Sequence, residues 1–503
     1  MLRTEIPAMQ LKQDKGVSRK FEELIKLALE RGFFASASEI YSDAPAGFWD
    51  YGPLGAAMKR KFIELWRREL VRRDGMLEID GAQILSKSVF KASGHLDSFV
   101  DPVARCSRCG AIYRVDKLIE ERTGLHVPER LNLDEMRRIV EENNVRCTRC
   151  GGELTSYSHF NMMFRVGVGV AEADAYLRPE TCQNIFVDFL RLYKTMRRKL
   201  PFAIAQYGKS FRNEISPRQG LLRMREFYQA EIEVFFNPNR ANDFPKADAV
   251  MDYELRLQQV GESEPSEITC REALSRGLVS SKLIAYYLAL IQQFYEKAGI
   301  PRERIRLRQL GEDEKAFYAV EAWDLEVETS LGWIELVACN NRGGHDLGGH
   351  QRMSGQGMEV LDDGQKILPH VFELSMGVDR SLYCILENFL DLEDGKTVLR
   401  LPPYLAPIDA AILPLVSKEP LTSRAMEIYD ELRRDFDVEY DDSGSIGRRY
   451  MRYDEVGVPI CITIDHQTME DDTVTVRFRD SAHQIRVDVS DLPCLLKEWL
   501  AYP

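Results

Sequence analysis

The sequence predicts an α+β protein: an antiparallel β-sheet flanked by helices, a cysteine-bounded insert and a C-terminal α/β domain. Three observations predict it. Strand-like runs separated by short turns fill the stretch from Phe160 to Phe236, as in FRNEI and FYQAEIEVFF. Two CxxC pairs, CSRC and CTRC, bracket residues 106–150. Beyond Pro402-Pro403-Tyr404 the chain alternates strand and helix, through AAILPLV, SRAMEIYDELRRDF, ICITI, TVTVRFR and a final helix.

At 503 residues the chain is too long for one hydrophobic core. Residues 1–104 form the N-terminal part of the main core. Within them 17–31 read as an amphipathic helix with Phe21, Leu24 and Ile25 on one face. After YGPLG a longer helix places Met58, Phe62, Trp66 and Leu70 four residues apart, with Gly75 at its end. Its other face carries Lys59, Arg60, Lys61, Arg67, Arg68, Arg72 and Arg73. The apolar stripe suits either an intrachain core or a subunit interface. Residues 105–152 form the insert, and 153–238 carry the antiparallel hairpin. Residues 239–330 read as a helical and mixed insert, with SKLIAYYLALIQQFYEKAGI its clearest helix. In 331–402, WIELVAC and HVFELSM read as buried strands, and VDRSLYCILENFL continues from the second as a helix. Residues 403–503 make the C-terminal domain.

The net charge of −13 argues against indiscriminate coating of nucleic acid, which rests on phosphate neutralisation. No apolar run approaches the ~20 residues needed to span a bilayer. The first residues, MLRTEIPAMQLKQDKG, lack a signal-peptide core, so a cytoplasmic location is expected. Cysteines there stay reduced. Cys106, Cys109, Cys147 and Cys150 then read as two knuckles, each followed by glycine, that close a structural Zn²⁺ site.

An acidic chain nevertheless gathers Arg212, Arg218, Arg223 and Arg225 in FRNEISPRQGLLRMREF. Guanidinium forks match phosphate oxygens, so this hairpin reads as an anion site. There is no GxxxxGK[ST] loop for a nucleotide. Phe227 offers a flat face for a purine. Arg380, in GVDR, stands at a strand-to-helix junction where amides also favour phosphate. Glu231, Glu373 and Ser375 sit in apolar strands, where an unpaired charge is costly, and this points to binding.

FRNE followed by RMREFYQAE resembles motif 2 of the class II aminoacyl-tRNA synthetases; SMGVDR resembles their motif 3, and YGPLG with its helix their motif 1. LRPETCQNIFVDF, SGHLDSFVD, YRVDKLI and ISPRQGLLRMREF resemble, within subclass IIa, the dimeric archaeal and eukaryotic glycyl-tRNA synthetase family. The resemblance implies ATP, glycine and tRNA(Gly) as substrates, a Mg²⁺ ion, and a homodimer joined through the motif 1 region. It implies that Arg212 clamps the α-phosphate and the amino-acid carboxylate, Arg380 the γ-phosphate, and that Arg223 supports the polyphosphate. Phe227 would stack on adenine and Glu214 accept from its amino group. Asn213, Leu222, Leu336 and Gly377 complete the ATP site, and Glu335, with Glu373, would hold Mg²⁺. Glu180, Glu231, Glu373, Ser375 and Arg342, with Arg114 from the insert, would hold glycine. The C-terminal domain resembles the subclass IIa anticodon-binding domain. Arg218 would meet the acceptor end of the tRNA, and Arg448 and Arg449 its anticodon region.

Cys182 and Asn184 stand where the family more often has Ala and Gly; Asn340, Asn341 and His345 where Ala, Asp and Tyr are commoner. No segment reads as an editing domain. A lone histidine such as His95 is more often structural, and it is given no role.

Overall fold

The computed structural model describes residues 18–502 except 126, 128–130, 171–172, 218, 317 and 393–394. One sheet organises the larger part of the chain. Its strands are β1 (Leu77–Ile79), β2 (Phe202–Phe211), β3 (Glu226–Phe236), β4 (Glu254–Gln258), β5 (Ser266–Thr269), β6 (Ile305–Gln309), β7 (Glu321–Thr329), β8 (Gly332–Gly343) and β9 (His370–Gly377). They lie in the order β5-β4-β6-β7-β8-β9-β3-β2-β1. All neighbours are antiparallel except β4 with β6 and β2 with β1. The central strands are buried on both faces: β3 is continuously buried from Gln229 to Phe236. The stretch 239–330 supplies four of the nine strands, so it extends this sheet.

Helix α1 (Arg19–Arg31) starts where the Ser18 hydroxyl accepts from the Lys20 amide and ends at left-handed Gly32. Helix α2 (Pro53–Trp66) has proline in its first turn and runs on through a wider turn over Arg67–Arg72. The glycines of YGPLG are needed for close approach. A Cβ on Gly55 would lie 1.9 Å from the Phe33 carbonyl oxygen. Met58, Phe62, Trp66 and Leu70 are all buried within the chain, with Phe62 edge-on to Phe294 at 5.5 Å. The apolar stripe therefore belongs to the intrachain core. The basic face is engaged as well: Arg67 pairs with Glu78 at 2.8 Å, and Lys61 with Asp409 at 2.6 Å.

Helices α3 (Cys182–Thr195), α4 (Lys282–Lys297) and α5 (Val378–Phe389) pack on the sheet. The insert has its own three strands, Ile112–Arg114, Val100–Cys106 and Leu154–Asn161, and its own small core around Val115, Ile119, Met136 and Val140. At the C-terminus a five-stranded sheet orders Val438–Tyr440, Ala410–Pro414, Ile460–Ile464, Thr473–Phe478 and Gln484–Asp488, over a separate core. No described helix is long and apolar enough to cross a membrane.

Candidate active site

The four cysteines of the insert converge. Their Sγ atoms lie within 4.8 Å of one another, with Cys106 and Cys150 at 3.5 Å and Cys109 and Cys147 at 3.6 Å. A tetrahedron with Zn–S bonds of about 2.3 Å has edges of about 3.8 Å, so the donor set fits zinc. Left-handed Gly110 and Gly151 turn each knuckle back, and the Tyr113 hydroxyl lies 3.1 Å from Cys147 Sγ.

The main cavity, about 620 Å³, opens on the sheet between the β2–β3 hairpin and the β9–α5 junction. Arg212, at the end of β2, places its guanidinium 5.3 Å above the Phe227 ring and 5.5 Å from that of Phe99. Its Nε donates to the Pro179 carbonyl at 3.2 Å, and an Nη lies 3.6 Å from Glu180. Arg223 Nε donates to Glu214 at 2.8 Å, while Arg225 is occupied by the carbonyls of Glu214 and Ala46. Across the cavity Arg380 donates to the Leu222 carbonyl and to Glu335, each at 3.2 Å. Leu336 and Gly377 also line this end. Asp379 ties the junction down by accepting from the Tyr51 hydroxyl and, at 2.6 Å, the Tyr228 amide. The YGPLG and GVDR segments thus meet in one hydrogen bond. Asp324 lines the same wall as Glu335, and burial, followed by the Glu335 charge, pushes its carboxyl up to about 8.

At the opposite end Glu180, Glu373 and Ser375 line the cavity, and Glu231 is buried behind Ser375. Glu231 on β3 accepts from the Thr181 hydroxyl at 2.6 Å, the Cys182 amide at 2.5 Å, the Ser375 hydroxyl at 2.5 Å and Gln229 at 3.1 Å. It is wholly buried, and burial and then the Glu180 charge push its carboxyl above the usual range, against the pull of the Ser375, Thr181 and Cys182 donors. Glu180 lies 3.3 Å from His95 Nε2. Burial pushes its carboxyl up, but His95, Arg342 and Arg212 outweigh that and hold it well below the usual range. Glu373 on β9 accepts from Arg342 and Asn340, each at 2.8 Å. Arg342 is itself buried, forked onto Asp346 at 2.7 and 2.9 Å and stacked 3.8 Å from the Tyr318 ring centre. These contacts place Glu373 at the carboxylate end, whereas the acid beside Glu335 is Asp324, so Asp324 rather than Glu373, the expected one, is the partner offered to Glu335 for Mg²⁺.

Other expected residues stand apart from the cavity. Arg114 is bound by Asp101 at 3.1 Å and by Asp116 at 2.9 Å, and does not line it. Asn213 meets the Met162 carbonyl through its amide at 2.8 Å. Arg218 lies outside the described residues. Arg448 is exposed, but Arg449 is buried and donates to the carbonyls of Pro414, Asp441 and Gly444. The expected nucleic-acid contact of Arg449 is corrected accordingly: its charge holds backbone together. The sequence reading also passed over His95, Tyr318 and Asp324, which line the cavity, and Glu233 beneath it. The only sequence signal for Glu233 is its place two residues after Glu231 on one strand face.

Arginines offered to an anion from antiparallel strands and a strand-to-helix junction, with no phosphate loop, mark out the class II aminoacyl-tRNA synthetases. A family model of the tRNA synthetase class II core domain (G, H, P, S and T) matches residues 169–389, and an anticodon binding domain matches 409–499. The chain is 42% identical to the glycine–tRNA ligase of Pyrococcus furiosus, over 95% of this chain and 99% of that one. It is 41% identical to that of Thermococcus gammatolerans, over 95% and 98%. With the Methanothermobacter thermautotrophicus enzyme the identity is 39%, over 94% and 97%. The chain belongs to the glycine–tRNA ligase family.

Proposed function

We propose that the protein activates glycine with ATP and transfers it to tRNA(Gly). The glycine carboxylate oxygen attacks the α-phosphorus, the bond to the β-phosphate oxygen breaks, and pyrophosphate leaves. A hydroxyl of the tRNA's terminal adenosine then attacks the glycyl carbonyl, giving up its proton as AMP departs. Arg212 stands to neutralise charge where carboxylate and α-phosphate meet, and Arg380 and Arg223 charge farther along the triphosphate. Phe227 offers the face for adenine and Glu214 an acceptor for its amino group. Asp324 and Glu335 fit a Mg²⁺ ion: two close carboxylates, one driven toward its neutral form, are relieved by a divalent cation. Held by these two acids, the ion would supply positive charge to offset that of the polyphosphate. The cysteine set fits a structural Zn²⁺. A homodimer in the cytoplasm, and Arg218 and Arg448 at the tRNA, belong to the same proposal.

The observation that carries this reading is the acidic end of the cavity: Glu180, Glu373 and Ser375 line it and Glu231 is fixed by four donors behind Ser375, a setting suited to an ammonium group with no side chain behind it. The test is ATP–pyrophosphate exchange with glycine, alanine, serine and proline, beside Arg212→Ala. Exchange with glycine alone, abolished in the variant, is expected. Exchange with another of the four would remove the glycine assignment.

A further inference from the structure

Below the carboxylate end lies a group that none of the assigned roles uses. Glu233 is wholly buried on β3, and neither of its carboxyl oxygens has a hydrogen-bond partner. It points to the same face as Glu231, and β9 places Glu373 directly opposite. Carboxyl oxygens of Glu233 and Glu373 and the Cys182 sulfur all lie within 4.8 Å of one another. The ionisable groups around Glu233 are Glu373 on β9, Arg342 on β8, Asp346 in the helix that follows β8, Glu231 on its own strand and Cys182 on α3. Arg342 is the one cation among them, and it is already shared by Asp346 and Glu373.

An ionised Glu233 would be a buried, unpaired charge beside other carboxylates, a costly arrangement. A neutral carboxyl is different, because its O–H is a donor, and a carboxyl oxygen of Glu373 lies within 4.8 Å. We propose that Glu233 is a positioning residue of the amino-acid site: it keeps a proton and donates it in a hydrogen bond to Glu373, holding Glu373 in the anionic form that receives the substrate's ammonium group. Burial, and then the Glu373 charge, push the Glu233 carboxyl well above the usual range, in keeping with this. The proton stays on Glu233 throughout; no bond is made or broken. The inference rests on the amino-acid-activating reading above and adds a residue to it.

The arrangement separates two substitutions. Glu233→Gln retains an N–H donor of nearly the same reach. Glu233→Leu removes the donor, and with it a hydrogen bond to a charged acceptor, worth about 1.5–3 kcal/mol or roughly ten- to hundred-fold in binding. Glycine-dependent exchange is measured for the full-length protein and both variants across pH, with KM for glycine and for ATP and thermal melting for each. Glu233→Gln is expected to keep the wild-type KM for glycine. Glu233→Leu should raise it about ten-fold or more near neutral pH, recover toward alkaline pH, and leave KM for ATP unchanged. Thermal melting should show the leucine variant still folded at the assay temperature, so that its KM for glycine reports on the site. Difference infrared spectra of the resting proteins give a readout without turnover: wild type should show a protonated-carboxyl band that Glu233→Gln lacks. An unchanged KM for glycine in the leucine variant would overturn the proposal. So would equal damage in both variants, or absence of the band. Wild-type exchange with glycine is the internal standard, so loss of Glu233's role with that exchange intact leaves the underlying reading standing.

Discussion

Arg212 is held near the cavity by contacts that a substrate can replace: a carbonyl, the rim of Glu180 and two aromatic faces. Arg212→Ala should therefore fold normally and lower the exchange rate by about 10²–10³ or more, the scale of losing one preorganised charge-stabilising donor. Glu373 supplies a pH dependence. Burial first, then Glu180 and Glu231 working against Arg342, push its carboxyl up to about 8. A raised pKa leaves part of Glu373 protonated at neutral pH even with Glu233 beside it, while an ammonium ligand needs the ionised form. KM for glycine should fall as pH rises from about 7 to about 8.5, and glycine binding at neutral pH should release protons measurable by calorimetry in buffers of different ionisation heat. These residues differ in how visible they were. Glu231, Glu373 and Ser375 could be read from the chain because a charged or polar group inside an apolar strand demands an explanation. His95 could not, since its partner Glu180 lies across the fold. The Arg449 error has a related root: an Arg-Arg pair looks exposed until the carbonyls of Pro414, Asp441 and Gly444 enclose it.

At the level of elements, α2 and the insert behave differently. Phe62 and Trp66 are fully buried in the shared core, so Phe62→Ala should cost about 3–5 kcal/mol in denaturant unfolding. The insert has a small core of its own, closed by four thiolates. Chelation should release about one zinc per chain and expose 100–161 to proteolysis while the main sheet stays folded. Substituting Cys109 by Ser should do the same without a chelator. Helices were the legible elements: the four-residue recurrence in α2 and the continuous apolar run of α4 fixed both. Much of the sheet was not. In β4 (ELRLQ) and β6 (IRLRQ) charged side chains alternate with buried leucines and isoleucine, and the runs are too short to announce a partner. The pairing of β4 with β6, and of β6 with β7, is contained in no local pattern. The stretch 239–330 therefore reads as an insert in sequence and as half of a sheet in space.

Across the whole molecule, α1 and α2 carry cations that pair with acids of the C-terminal unit: Arg31 with Glu455, Arg60 with Asp437 and Lys61 with Asp409. Arg448 and Arg449, adjacent in sequence, should separate cleanly in experiment. Arg448→Ala should raise KM for tRNA and reduce its salt dependence, with unchanged exchange and melting temperature. Arg449→Ala should instead lower the melting temperature, by removing the donor to buried carbonyls, a loss of about 1–3 kcal/mol. Strand order has a consequence of another kind. β3 gains β2 as a neighbour as soon as the hairpin closes, but its other edge waits for β9, whose first residue is His370, 370 − 236 = 134 positions after Phe236. At a ribosomal pace of roughly 5–20 residues per second, that is roughly 7–27 seconds of synthesis. For that interval an apolar strand with open backbone donors and acceptors trails from the ribosome, an invitation to mispairing. The nascent chain is thus most in need of a chaperone between the emergence of Phe236 and that of His370, and stalled chains cut off before His370 should be its most avid clients.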